Sequence, residues 1–258
     1  MKKKSNNKNM NFNSYIQPLL YKIKDCKLFT FPYPYAEKED LFPEEIIDKI
    51  EKNFPELSNF DRNSDTKNVI INKKANEEHP YDFRYTLTLT NKKDLNKISI
   101  DKRTFWENLT KFLCSPEIVK ELLTLYLPFV KKRFGEDLQS TKFSPHISLL
   151  YDKAKYSLGP HTDHVEKVVT IIIYLSNENL NDSNSKFGTS VYLPKDPTFI
   201  CEKGLHYNHD DFYRHHTCRF KINNSFSFFR TNNSFHGVEP IPDVPQERKL
   251  IQYSIFEI

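Results

Sequence analysis

The run VVTIIIYL, residues 168–175, decides how the rest of the chain is read. Nearly every residue in it is β-branched. Such side chains crowd a helix but pack well on a pleated surface, so the run predicts a buried strand. It is the longest mostly apolar stretch, and it falls far short of the roughly 18 apolar residues that a membrane helix needs. Shorter β-rich runs surround it at 147–151, 189–193, 225–230 and 250–257, most of them bounded by Asn, Asp, Ser, Gly or Pro. Many short strands without intervening helices predict an antiparallel sandwich or jelly roll.

Upstream of Gly135 the pattern differs. A short strand at 28–31 and a Pro-rich turn (Pro32, Pro34) precede a helix over 43–54. Pro43 opens that helix, Glu44 and Glu45 lie in its first turn, and Ile46, Ile47, Ile50 and Phe54 form one apolar face. Residues 62–82 read as a loop, and RYTLTLT (84–90) alternates like a strand. A second helical stretch covers about 104–134, with Ser115-Pro116-Glu117 restarting a helix inside it. The chain therefore divides into a polar, disordered tail (1–13) and a single domain (14–258). Within that domain a strand and helix support region (14–140) precedes a β core (141–258). Residues 176–188 and 194–224 are loops long enough to act as lids or binding surfaces.

The bulk properties exclude several classes. With 258 residues and 38% hydrophobic content the chain can fill one large core. The net charge of +4 comes down to Lys2, Lys3, Lys4 and Lys8 in the tail, and the remainder is formally neutral. That is poor footing for nucleic-acid binding driven by phosphate contacts. The basic start has no apolar segment after it, which predicts no secretory signal, no membrane attachment and a cytoplasmic location. Cys26, Cys114, Cys201 and Cys218 are far apart, with no CxxC pair that would suggest a zinc knuckle or redox dithiol.

The chemistry centres on Gly159-Pro160-His161-Thr162-Asp163-His164. On a strand, residues two apart share a face, so His161 and Asp163 can present an imidazole and a carboxylate to one point. A second imidazole arrives at His236, within Ser234-Phe235-His236-Gly237-Val238. Two histidines and one carboxylate on one side of a metal leave the opposite positions open, as in the facial triad of non-haem iron oxygenases. A structural zinc site would be closed by four protein ligands. Further on, Arg248 opens the last strand. A guanidinium stays charged when buried and grips a carboxylate bidentately, as a cosubstrate with a remote carboxylate requires. Alternation puts Arg248, Leu250 and Gln252 on one face and Lys249, Ile251 and Tyr253 on the other, so either basic residue can be the inward one.

Together these residues resemble the Fe(II)/2-oxoglutarate-dependent dioxygenases, particularly the prolyl-hydroxylase-like branch. The matching motifs are Tyr151, His161-x-Asp163, the strand at 168–175, Gly188-Thr189-Ser190, His236-Gly237-Val238-x-Pro240 and Arg248. In the N-terminal part, Phe31-Pro32-Tyr33-Pro34-Tyr35 and the helix after it look like the opening of many such oxygenases. The resemblance implies a mainly β fold, with a double-stranded β-helix (jelly roll) core and flanking N-terminal helices. It implies His161, Asp163 and His236 as ligands of Fe(II), Arg248 as the holder of the distal carboxylate of 2-oxoglutarate, Tyr174 as a second donor to it, and Tyr151 as a lining residue. Thr170 shares the parity of Tyr174. The cosubstrate would chelate the metal through its 1-carboxylate and 2-oxo group. Its decarboxylation with O2 to succinate and CO2 would drive oxidation of a C–H bond, with ascorbate a candidate reductant. Halogenating relatives carry a small residue where Asp163 stands, which turns the expectation towards hydroxylation, or a related desaturation or cyclisation.

The implied substrate is a small biosynthetic molecule, with a protein (prolyl-type) substrate as the alternative. The nucleic-acid demethylase branch carries a second arginine six residues after the first, where this chain has Ser254. Two other readings keep the fold. A sugar-binding jelly roll would need no Arg248 or Tyr174 in the same cavity, and a cupin-type iron enzyme would add histidine ligands. The segment CEKGLHYNHDDFYRHHTC (201–218) reads as a lid over the metal, with zinc binding as the alternative. Arg230 is a candidate for holding an anionic substrate, and His164 is expected to face away from the metal.

Overall fold

Every central-strand residue in this molecule must choose between two buried faces. The computed structural model describes residues 10–63, 80–176, 187–199, 201, 205–243 and 247–258. In it the apolar run forms a strand over Lys167–Tyr174, buried from Val168 onward. Val169, Ile171 and Ile173 enter one hydrophobic core and Ile172 and Tyr174 another. A strand covered on both sides needs no polar face, which is why its sequence is a continuous apolar run and does not alternate.

In chain order the strands are β1 (Lys27–Phe29), β2 (Tyr35–Lys38), β3 (Asp61–Arg62), β4 (Arg84–Thr88), β5 (Phe143–Asp152), β6 (Leu158–His161), β7 (Lys167–Tyr174), β8 (Ser190–Pro194), β9 (Phe212–Thr217), β10 (Ser225–Phe229), β11 (His236–Val238) and β12 (Arg248–Glu257). The helices are α1 (Ile16–Lys24), α2 (Glu44–Asn53), α3 (Lys92–Leu95), α4 (Ile100–Leu113), α5 (Pro116–Leu125) and α6 (Leu127–Phe134). Among the described residues the strands form two antiparallel sheets. The larger runs β1-β2-β10-β7-β12-β5-β4-β3, and the smaller β6-β11-β8-β9. The smaller sheet lies over the inner face of the β10-β7-β12-β5 part of the larger. This strand order is that of a double-stranded β-helix, in agreement with the fold class expected from the sequence.

The outer face of the larger sheet carries the helices. Ile147, Leu149, Tyr151, Ile251, Tyr253 and Ile255 point into that layer, against Leu19, Ile23, Ile46, Ile50, Trp106 and Leu122. Between the sheets lie Leu150, Ile172, Tyr174, Phe226, Phe228, Leu250, Leu158, Val191 and Val238. Trp106 is fully buried and its indole N–H donates to the Asn53 carbonyl at 2.7 Å, tying α4 to the end of α2. None of the described helices is long and apolar enough to cross a membrane.

The structure departs from the sequence reading in several places. Helix α1 is not signalled in the sequence, because Gln17-Pro18 and two lysines, Lys22 and Lys24, mask its short apolar stripe, of which Leu19 and Ile23 are buried. Ordered packing also begins before residue 14: Phe12 is buried, its ring centroid 5.4 Å from that of Phe112. The rest of the expected tail, residues 1–9, lies outside the described residues. Finally, the presumed loop 194–224 contains β9, whose sequence FYRHHT has no apolar alternation because its side chains are mostly exposed.

Ile251 is fully buried where the larger sheet meets the helices. Ile251→Ala is expected to lower the unfolding free energy by about 2–5 kcal/mol, through lost transfer energy plus the cavity left behind. Urea denaturation measures this, and a loss under about 1 kcal/mol would contradict the packing described.

Candidate metal centre and carboxylate pocket

β6 and β11 are antiparallel neighbours, and their register sets His161 opposite His236. Asp163 follows two residues after the end of β6, in the segment leading into β7. One ligand atom from each of His161, Asp163 and His236 lies within 4.8 Å of the others, the one group among the described residues able to hold a metal. The two imidazole centroids are 4.3 Å apart. Each ring is oriented the same way: Nδ1 of His161 meets the Gly159 carbonyl and Nδ1 of His236 the Ser234 carbonyl, both at 3.0 Å. With Nδ1 donating to a carbonyl, Nε2 keeps its lone pair for a metal.

The charge states suit a cation. Burial, then the neighbouring His236, pushes the His161 imidazole down to about 3, and burial likewise lowers His236. Both are therefore neutral near pH 7. Burial alone would raise the Asp163 carboxyl. The Lys167 ammonium, the two imidazoles and the Thr170 hydroxyl outweigh that and hold it well below the ordinary carboxylate range. Lys167 Nζ donates to Oδ1 at 2.9 Å and Thr170 Oγ1 to Oδ2 at 2.7 Å, which fixes the carboxylate plane. Arg230 Nε donates to the Asp163 main-chain carbonyl at 3.2 Å. Two neutral imidazoles and an ionised carboxylate, each aimed by an outer partner, match the donor set of a divalent first-row metal.

Arg248, 2% exposed, faces the space between the sheets. Its Nε donates to the Phe187 carbonyl and its Nη1 to Asp152 Oδ2, both at 2.6 Å. The rings of Tyr174 and Phe220 lie 5.7 and 5.8 Å from its guanidinium carbon. Lys249 takes the other face, over Phe54 and Tyr151, and pairs with Glu247 at 2.8 Å. Between the two basic residues, then, Arg248 is the inward one. Tyr174 shares its space, but the hydroxyl is engaged with Thr189, donating to Oγ1 at 3.0 Å and accepting from the amide at 2.9 Å. The chain joins this end to the metal centre through one continuous core, since Phe228 packs on His236 with centroids 4.2 Å apart.

Tyr151 requires a correction. It was expected to line the cosubstrate pocket, but it belongs to the helix-facing core, against Phe60 and Lys249. Strand parity is the reason: on β5 the inward residues are Leu150 and Asp152. Sequence reading missed Asp152, together with Arg84, which grips its carboxylate at 2.6 and 2.8 Å. The one available signal was a lone Asp closing the apolar strand ISLLYD (147–152).

The histidine-rich segment disperses. His206 reaches the metal centre, its ring 4.4 Å from His161, and Tyr207 N donates to the Pro160 carbonyl at 3.0 Å. Gly159 allows that approach, because a Cβ there would meet the Tyr207 oxygen at 2.3 Å. His209 contacts the Val238 carbonyl, His215 the Phe31 ring and His216 the Glu37 carboxylate. No zinc-like cluster joins them among the described residues, and residues 202–204 lie outside those described. His164 is exposed.

No known sequence family and no curated protein matches the chain. Solved structures do. A prolyl 4-hydroxylase from Phytophthora capsici superimposes with a TM-score of 0.52 at 15% identity, covering 94% of this chain and 65% of that one. This chain thus spans a little under two thirds of that relative's length. A Pseudomonas putida prolyl-4-hydroxylase gives 0.49 at 8% identity, over 93% and 99% of the two chains. A prolyl hydroxylase from Trichoplax adhaerens, solved with a peptide fragment of hypoxia inducible factor, gives 0.45 at 11%, over 95% and 90%. The first of these likenesses shows that the fold is the prolyl 4-hydroxylase fold.

Thr170→Val removes the hydroxyl that aims Asp163 while keeping its volume. It is expected to weaken Fe(II) or Co(II) binding about 10-fold or more, as outer partners of metal ligands commonly do. Metal titration followed by Co(II) absorption measures this, and wild-type affinity would show that the hydrogen bond is idle.

Proposed function

We propose that the protein is a non-haem Fe(II) oxygenase that couples decarboxylation of 2-oxoglutarate to hydroxylation of a small substrate. The observation that carries this reading is the pairing of an open two-His, one-carboxylate centre with a buried arginine in the same space between the sheets. The prolyl 4-hydroxylase fold supports it, and Arg248 and Tyr174 on the inner face argue against an incidental triad in a sugar-binding module.

In this reading His161 and His236 bind the metal through Nε2 and Asp163 binds through its carboxylate, leaving open positions for the cosubstrate and O2. Bound Fe(II), with 2-oxoglutarate and O2, would supply the oxidising power that attacks a substrate C–H bond. The chain's own residues do the rest. Lys167 and Thr170 hold Asp163 in one orientation, and the Gly159 and Ser234 carbonyls hold the two imidazoles. Arg248 offers a charged donor to the distal carboxylate. Phe228, Ile172 and Leu250 keep water from the space between. The segment at Leu205–Tyr207 covers the metal side through His206 and bounds the place where a substrate would sit.

The test is anaerobic titration with Fe(II) and then 2-oxoglutarate. A weak visible charge-transfer band is expected, and both the band and iron binding should be lost in His161→Ala and His236→Ala. Succinate should appear once O2 is admitted. Iron uptake without any band or succinate would reject the dioxygenase reading and favour a cupin-type centre, and no iron uptake would favour a sugar-binding jelly roll.

A further inference from the structure

Asp152 is held by two guanidiniums. Arg84 grips it bidentately from β4, at 2.6 and 2.8 Å, and Arg248 reaches it from β12 at 2.6 Å. Strand register sets the three in one row across the sheet, Arg84 opposite Asp152 and Asp152 opposite Arg248. The side chains are 11%, 0% and 2% exposed. Two positive charges on one carboxylate leave the row with a net charge of +1 in a place where an uncompensated charge is costly. A further carboxylate from this side of the larger sheet, Glu37, is engaged with His216 at 2.6 Å. A second observation points the same way. Tyr156 is fully buried, stacks on Arg84 with its ring centroid 4.2 Å from the guanidinium carbon, and leaves its hydroxyl without a hydrogen-bond partner. Surplus positive charge and an unused O–H donor in one dry place suit a second carboxylate.

We propose that Arg84 and Asp152 are positioning residues of the cosubstrate site: Asp152 fixes the guanidinium of Arg248, and Arg84 neutralises Asp152 so that Arg248 keeps its charge for the distal carboxylate of 2-oxoglutarate. The proposal rests on the oxygenase reading above. It makes Arg84, which stands on the N-terminal side of the β core and about 160 residues before Arg248, part of the cosubstrate machinery without touching the ligand. A purely structural ion-pair network would not impose this charge logic.

The experiment uses the full chain loaded anaerobically with Fe(II), reading the dissociation constant of 2-oxoglutarate from the charge-transfer band, and iron affinity separately. The row carries +2 in Asp152→Asn, +1 in the wild type and in the Arg84→Gln/Asp152→Asn double variant, and 0 in Arg84→Gln. Asparagine keeps a side-chain oxygen that accepts from Arg248, so these variants change the charge while the guanidinium stays held, and affinity should follow that order. Arg84→Gln is expected to weaken 2-oxoglutarate about tenfold or more, since a unit charge a few ångströms away is worth at least that in a protein interior. The double variant should recover to within about threefold of wild type, and Arg84→Lys, which keeps the charge, should also retain affinity. Iron affinity should be the same throughout. Should Arg84→Gln alone fail to fold, Asp152→Asn and the double variant differ by the same single charge, and the former should bind about tenfold tighter. Equal affinities across the series, or loss in Arg84→Gln without recovery in the double variant, would overturn the proposal. Absence of any 2-oxoglutarate band in the iron-loaded wild type would instead overturn the oxygenase reading itself.

Discussion

A sheet buried on both faces allows no neutral positions, and that constraint governs the site. On β5, β7 and β12, each side chain enters either the helix-backed core or the space between the sheets, and a shift of one residue exchanges the two sets. Arg248 is inward and Lys249 outward for this reason alone, and so are Asp152 and Tyr151. The same parity brings Thr170 to Asp163 at one end of the inter-sheet face and Tyr174 to Arg248 at the other. The helices on the far side thus serve the chemistry indirectly. Trp106, Ile46, Ile50 and Leu122 fill the outer layer, so the alternate register would bury charges against them at a cost of several kcal/mol each.

The smaller sheet adds a second constraint. Its pairing of β6 with β11 sets the two imidazoles opposite each other, and their backbone-anchored Nδ1 atoms leave no freedom in which nitrogen faces the centre. A cation would therefore meet a preformed donor set whose members are already in the protonation states that binding requires. Gly159 and Gly237 sit beside these ligands, where a Cβ would collide with the neighbouring backbone at 2.3 Å. The strands approach more closely here than side chains would permit, which draws the loop at His206 down over His161.

Much of this was legible in the sequence because it depends on local rules. The β-branched run at 168–175 announced a buried strand, and His161-x-Asp163 with His236 announced side chains that the structure brings together. The helix at 43–54 carried its own start signals. What could not be read depends on long-range pairing. Tyr151 and Asp152 are adjacent in an apolar strand, and no local feature tells which faces the smaller sheet; the register with β12 and β4 decides it. Arg84 reads as one end of an alternating strand, and its partner lies 68 residues away. β9 escaped notice because its side chains are mostly exposed, so it has no apolar alternation to detect. The comparison by sequence found no match, while the fold matched at 15% identity, which is the same lesson at the scale of the whole chain. Parity and packing persist where individual residues do not.

The two ends of the inter-sheet space share one electrostatic pattern. At one end Asp163 is contacted by Lys167 and Arg230, and a metal would add two further positive charges; nearby Arg133 is paired with Glu257 at 2.8 Å and adds little. At the other end Asp152 is shared by Arg84 and Arg248. Counting Glu166 beside Arg230 as well as Asp163, the metal end is positive once a metal is added, and the Asp152 end is positive on its own residues. A neutral ligand would leave both surpluses uncompensated between the sheets, and a monoanion would settle only one. On the proposed oxygenase reading, a short dicarboxylate, negative at both tips and able to chelate at one of them, would match the charge at each end, and 2-oxoglutarate has that chemistry.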